Sequence, residues 1–185
     1  MNRICVFCAS SDHISSLYRT ACSDFGRLLA REGLNLIFGG GAVGLMGALA
    51  EAVKKHGGSV YGVIPSSLRE GEGRYPRCDK LLLTETLAER KALMIAEADG
   101  FAVLPGGYGT LDEAFEILTL QRHGKLNCPV VFLNTGGVYD ALVTLLQRLH
   151  RDGFLEHPHT RDFFIASDPE EAVAFLKSSL RTDPS

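Results

Sequence analysis

Short unbroken apolar runs alternate along this chain with stretches whose apolar residues return every three or four positions. The runs predict strands at Arg3–Cys8, Leu34–Phe38, Ser59–Ile64, Lys80–Leu83, Gly100–Leu104, Val130–Leu133 and Phe163–Ala166. Several are continuous rather than alternating, the pattern of strands covered on both faces. The longer periodicity predicts helices near Ile14–Glu32, Leu45–His56, Leu87–Ala98, Leu111–His123, Val138–Asp152 and Pro169–Leu180. Strand and helix take turns as in a βαβ series, so an α/β fold follows: a doubly wound, mostly parallel sheet flanked by helices, with right-handed crossovers. Ligands of such sheets bind beyond the carboxyl ends of the strands. The loops that matter are therefore 8–13, 39–44, 65–79 and 105–110.

Composition narrows the classes of function. The 185 residues suit one domain, 1–180, with no repeat or linker and a loose tail at 181–185. The Gly- and charge-rich segment Arg69–Arg77 reads as a mobile loop. A hydrophobic share of 45% and a charged share of 22% are those of a globular protein. A net charge of -3 without a Lys/Arg block argues against nucleic acid as a partner. No leader is apparent, and no apolar run approaches the ~18 residues a membrane span needs, so no membrane association is expected. Of the five cysteines, Cys5 and Cys8 form a C-x-x-C, but residues three apart on a strand point to opposite faces. Buried reduced thiols, no metal site and a cytoplasmic location are the expectation.

The most informative stretch is Pro105-Gly106-Gly107-Tyr108-Gly109-Thr110-Leu111-Asp112-Glu113, between a predicted strand and a predicted helix. Glycines let main-chain N–H groups close around an anion, and a helix start adds free donors and a favourable dipole. With no lysine after the last glycine, it is not a Walker A loop. Leu111, Ala114, Phe115 and Leu118 are the predicted core stripe of the following helix, with Thr110, Glu113 and Glu116 in a row on another side. A carboxylate at Glu113, one turn from a proposed phosphate, suggests catalysis or a hold on ribose rather than simple capture.

A second cluster, Gly39-Gly40-Gly41-Ala42-Val43-Gly44-Leu45-Met46-Gly47, contains a literal G-x-G-x-x-G. The acid that a nicotinamide site wants at the end of the next strand is absent there, since that strand ends at Val63-Ile64-Pro65. Close approach of the Gly40 and Gly41 backbone to a ligand, or to the other glycine loop, is the better reading. Thr86 and Glu89 form a capping box that starts a helix at Leu87 and puts Arg90 and Lys91 just past its first turn. A cation near that positive pole is disfavoured by ~0.3–1 kcal/mol, which points to function at Arg90 unless it pairs with Glu97. Ser10 and Ser11 can offer donors to a ligand or cap the next helix. His123 reads as an ordinary helix-end residue.

Cys8-Ala9-Ser10-Ser11, the Gly39–Gly47 stretch, Glu89-Arg90-Lys91 with Met94, and Pro105–Glu113 occur in the order and spacing of one family. From about Arg3 to Phe154 the chain resembles the LOG ("lonely guy") proteins, cytokinin riboside 5'-monophosphate phosphoribohydrolases with the signature P-G-G-x-G-T-x-x-E. The resemblance implies a Rossmann-like fold, a homodimer, and cleavage of the N-glycosidic bond of adenosine monophosphate or its N6-modified analogues. Arg90 and Glu113 match residues regarded as catalytic. Lys91, the run Gly107, Tyr108, Gly109, Thr110, Leu111, Asp112 and Glu113, and also Thr119 match positions that line the nucleotide site. Glu70 is the candidate for an acid in the loop after the third strand. Leu120 stands where many members carry tryptophan, and the 69–79 loop departs from the plant pattern; both bear on base preference.

The resulting expectation is a 5'-phosphate on Gly106–Thr110, ribose over Glu113, and Arg90 holding Glu113 and donating toward the departing base, with no cofactor or metal. The family's older label, lysine decarboxylase, would need pyridoxal phosphate on a lysine in a suitable setting, and none is evident. The alternatives are a carrier module of the same fold without turnover and, more remotely, a nicotinamide-dependent oxidoreductase. Leu93, Met94 and Leu120 are candidate subunit-interface residues.

Overall fold

The computed structural model describes residues 2–66 and 73–180. Seven strands form one sheet: β1 (Arg3–Phe7), β2 (Asn35–Phe38), β3 (Val60–Pro65), β4 (Lys80–Thr84), β5 (Gly100–Val103), β6 (Val130–Leu133) and β7 (Phe164–Ala166). Their order is β4-β3-β2-β1-β5-β6-β7, and every neighbouring pair is parallel, where the sequence predicted a mostly parallel sheet. Among the described residues, six α-helices cover it: α1 (Ser16–Arg31), α2 (Gly44–Lys55), α3 (Leu87–Ala96), α4 (Tyr108–Arg122), α5 (Asp140–Arg151) and α6 (Pro169–Leu180).

The continuous apolar runs have the expected cause. In β1, Ile4 and Val6 join the apolar cluster packed under α1, α2 and α6, while Cys5 and Phe7 join the cluster under α3, α4 and α5. β5 divides likewise, with Ala102 on the first side and Phe101 and Val103 on the second. Cys5 and Cys8 lie in opposite layers, as the period-two geometry of a strand requires. The two edge strands are the less buried ones, β4 above all.

Chain order runs outward from β1 to β4 on one side and from β5 to β7 on the other, so the winding reverses between β1 and β5. There the loops after the two strands diverge to opposite faces and leave a crevice at the strands' carboxyl ends.

Three expectations about helices are corrected. α4 starts at Tyr108, not Leu111, because Gly107 serves as its N-cap and the glycines enter the first turn. Its core stripe is Ala114, Ile117 and Leu118 with Thr110, whereas Phe115 is 41% exposed. Met94 is fully buried in the core instead of on an outer face. The 181–185 tail and residues 69–72 of the Arg69–Arg77 loop lie outside the described residues.

Candidate active site

One residue stitches the crevice together. The Ala9 N–H donates to the Pro105 carbonyl at 3.1 Å, and the Ala9 carbonyl accepts from the Leu45 N–H at 2.9 Å. The loops after β1, β2 and β5 are thereby tied to one another. Asp12 adds a further tie, accepting the Gly44 N–H at 3.0 Å. Gly44 sits at φ +63°, and a Cβ there would lie 2.5 Å from the Ser10 carbonyl carbon, so only glycine permits the two loops to meet.

The cleft so formed has a volume of about 330 Å³. One wall is the segment Cys8–Ser11; another is the start of α4, Gly107–Thr110. Met46, Ile64 and Pro65 add apolar lining, and Gly39, Arg90 and Glu113 complete it. α4 has no side-chain cap, and its first intrahelical bond is Leu111 N–H to the Gly107 carbonyl at 3.0 Å. The N–H groups of its first turn therefore lack intrahelical acceptors at the wall of the cleft, an arrangement suited to an anion. Thr110 is nearly buried, its side chain lying over Gly106, where a Cβ would stand 2.1 Å from Thr110 Oγ1.

Arg90 and Glu113 face each other within this cleft. Thr86 caps α3 as expected, its Oγ1 accepting the Glu89 N–H at 3.1 Å, whereas the Glu89 carboxylate reaches past the cap and accepts the Glu85 N–H at 2.9 Å rather than that of Thr86. This sets the register of α3 and hence the position of Arg90. Its Nε donates to the Val63 carbonyl at 3.0 Å and its Nη1 to Glu113 Oε1 at 3.0 Å. The third guanidinium nitrogen occupies the space a Gly39 side chain would take, with Nη2 only 2.0 Å from an ideal Cβ there. Gly39 thus makes room for a side chain of this protein. The Arg90 and Glu113 side chains are 15% and 11% exposed. Arg90 does not pair with Glu97, which instead binds Arg3.

Burial pushes the Glu113 carboxyl above its ordinary range; Arg90 opposes the shift, Asp112 adds to it, and Lys91 reduces it. Cys8 also lines the cleft, but a hydrogen bond with Cys22 and burial hold its thiol protonated, which makes it a poor nucleophile.

Of the residues singled out in the sequence, the fold brings Ser10, Ser11, Arg90, Gly107, Tyr108, Gly109, Thr110 and Glu113 together at the cleft. Others stand elsewhere. Gly40 and Gly41 are occupied by backbone pairing, the first with the Tyr75 N–H and the second in a bridge with Arg74. Leu111 packs against the core on the α4 side. Lys91 binds Asp112 at 2.9 Å and Glu116 at 2.7 Å beside the cleft. Thr119 is exposed, with its hydroxyl returned to the Phe115 carbonyl. Glu70 lies outside the described residues. Sequence reasoning did not single out Asp12, the Val63 carbonyl or Met46. Asp12 carried a signal, an acid in the loop after the first strand. A backbone carbonyl carries none.

The model of a family described as "possible lysine decarboxylase" matches residues 46–176. A probable cytokinin riboside 5'-monophosphate phosphoribohydrolase of Oryza sativa subsp. japonica is 39% identical over 175 residues, 95% of this chain and 77% of its own. The cytokinin riboside 5'-monophosphate phosphoribohydrolase LOG5 of Arabidopsis thaliana is 37% identical over 176 residues, with the same two coverages. The chain belongs to the LOG family. Among solved structures, a molybdenum cofactor binding protein from Rippkaea orientalis superposes with a TM-score of 0.74 at 24% identity, covering 96% of each chain. The molybdenum cofactor carrier protein of Chlamydomonas reinhardtii gives 0.76 at 20% identity, covering 98% of this chain and 99% of its own. These two likenesses show that the LOG fold is shared. The residues of this LOG protein do not fit pyridoxal phosphate: no lysine lines the cleft among the described residues, and neighbouring Lys91 is committed to two carboxylates.

Proposed function

We propose that this protein hydrolyses the N-glycosidic bond of adenosine 5'-monophosphate or an N6-modified analogue, releasing the free base and ribose 5-phosphate. The observation that carries the reading is a buried carboxylate, Glu113, held by Arg90 at 3.0 Å one helical turn from the anion-suited start of α4. The 5'-phosphate docks on the N–H groups of Gly107–Thr110 with help from Ser10 and Ser11, which leaves the ribose over Glu113. The base extends toward Met46, Ile64 and Pro65. As the bond to the base breaks, positive charge grows on the sugar ring. Ionised Glu113 stabilises that charge and orients or deprotonates the attacking water. Arg90, fixed by Val63 and Glu113, donates toward the departing base.

The test is Glu113→Gln, which keeps shape and hydrogen bonding but loses the charge. It is expected to fold and bind AMP while turnover falls about 10²-fold or more. Near-normal release of adenine by that variant would remove Glu113 from the mechanism. Bound AMP with no free adenine from the unaltered protein would instead identify a carrier. A panel of AMP, GMP, CMP and isopentenyladenosine monophosphate sorts the base preference.

The protein acts as a cytoplasmic homodimer without nucleic acid as a partner. The dimer is supported by the apolar side chains left exposed on α3 and α4, Leu87, Tyr108 and Phe115, at 56%, 94% and 41%. Among the described residues no helix is long and apolar enough to cross a membrane.

A further inference from the structure

The loop after β1 is fastened at two points to the start of α2. Val43, the N-cap of that helix, offers no side-chain acceptor, so the first-turn N–H groups need acceptors from elsewhere. Ala9 and Asp12 supply two of them. The Ala9 carbonyl takes the Leu45 N–H at 2.9 Å, and Asp12 Oδ1 takes the Gly44 N–H at 3.0 Å. Between these anchors stand Ser10 and Ser11, both in the wall of the cleft. The Ala9 anchor is main chain; the other depends on a single side chain. Arg19 of α1 steadies that side chain, with Nη2 3.7 Å from Asp12 Oδ1 and Nη1 3.5 Å from the Gly44 carbonyl. Ser11 Oγ accepts the His13 N–H at 3.2 Å, which closes a turn around Asp12 and keeps the hydroxyl proton available to donate. Asp12 itself is 62% exposed and does not line the cleft. Its carboxylate lies on the positive pole of α2 and near a guanidinium, so its charge is offset two residues from Ser10. Misplacing a binding group by about 1 Å can forfeit what it contributes, so the anchor matters to whatever Ser10 and Ser11 hold.

We propose that Asp12 is a positioning residue for the phosphate: by capping α2 from the neighbouring loop, it fixes Ser10 and Ser11 where they meet the anion. This rests on the reading that the 5'-phosphate docks on Gly107–Thr110 with Ser10 and Ser11. Asp12 acts through its hydrogen bond to Gly44 rather than on the ligand, and its charge is dispensable.

The experiment compares the full-length protein with Asp12→Ala, Asp12→Asn and Asp12→Glu. Asparagine keeps the acceptor without the charge; glutamate keeps the charge, but its extra methylene carries the carboxylate off the Gly44 N–H. Steady-state rates on AMP are measured beside equilibrium binding of AMP and of adenosine, which has no phosphate. Asp12→Ala is expected to raise both KM and Kd for AMP about tenfold while kcat stays within about twofold, because a phosphate contact made alike in ground and transition states affects binding alone. Adenosine is expected to bind all four proteins alike. Asp12→Asn is expected to keep the AMP affinity within about twofold of the original, and Asp12→Glu to lose several-fold. An unchanged Kd for AMP in Asp12→Ala would overturn the proposal. So would an equal loss for AMP and adenosine, which marks a general structural role, or glutamate restoring affinity where asparagine does not, which marks a role of charge. If the unaltered protein binds AMP but releases no adenine, the hydrolase reading fails by itself, and the binding comparison still decides about Asp12. AMP that does not bind the unaltered protein at all overturns both. Should Asp12→Ala not fold, the order of Asp12→Asn and Asp12→Glu in AMP affinity decides in its place.

Discussion

Two glycines of the second cluster show how one residue type serves different ends. Gly44 holds a positive φ against the Ser10 backbone, which has no freedom to withdraw. Gly44→Ala is expected to destabilise the protein by about 1–3 kcal/mol, read by chemical denaturation. Gly39 instead leaves room for the flexible end of Arg90. Gly39→Ala is expected to unfold cooperatively near the original midpoint, because the guanidinium can swing aside. Its kcat/KM for AMP is expected to fall about 10²-fold, because Arg90 then no longer meets Glu113. A retained rate would mean that the position of Arg90 is unimportant. For Glu113 the sign of the pH effect follows from its surroundings. Burial raises its pKa, so the ionised form is lost as pH falls while ordinary carboxylates are still charged. The acid limb of kcat/KM is expected above the usual glutamate range, and it should vanish in Glu113→Gln. The P-G-G-Y-G-T run was legible because its chemistry is local. The reason for Gly39 was not, since its partner comes from another element.

At the scale of elements, the start of α3 followed from its own residues, as Thr86 Oγ1 takes the Glu89 N–H and the Glu89 carboxylate takes the Glu85 N–H without tertiary help. Thr86→Ala is expected to cost about 1 kcal/mol in stability and to loosen the register that presents Arg90. The start of α4 was misjudged by three residues because glycines argue against helix on propensity, while the fold recruits them into the first turn. Phe115 fitted an apolar stripe by spacing, yet tertiary packing turned Ile117 inward in its place. The join between β3 and β4 depends on Asp79, which accepts the Val60 N–H at 2.7 Å and binds Lys54 at 2.8 Å. Burial works against its ionised form, but Lys54 and the Val60 N–H outweigh that and hold its pKa below the ordinary value. A depressed carboxyl stabilises the fold above its unfolded pKa, and the contribution is lost as pH falls through the folded one. Stability in urea is therefore expected to decline below about pH 4. Asp79→Asn should shrink that decline, by less than about 1 kcal/mol given the exposure of the pair.

For the molecule as a whole, the reversal of winding between β1 and β5 decides where chemistry can occur. The apolar side chains exposed on α3 and α4, Leu87, Tyr108 and Phe115, make these helices the candidate dimer surface. Light scattering is expected to give twice the mass of one chain, and Phe115→Glu is expected to shift it toward monomer; a monomeric unaltered protein would refute the dimer. The sequence by itself determined the alternation of strand and helix, the parallel two-faced sheet and the anion-suited loop, because period, capping and glycine placement act over a few residues. Tertiary structure alone decided that Arg90 reaches Glu113 rather than Glu97, that Gly39 exists for Arg90, and that Lys91 binds Asp112 and Glu116. Those outcomes depend on distances between elements far apart in the chain, set by how the two helical layers pack on the sheet.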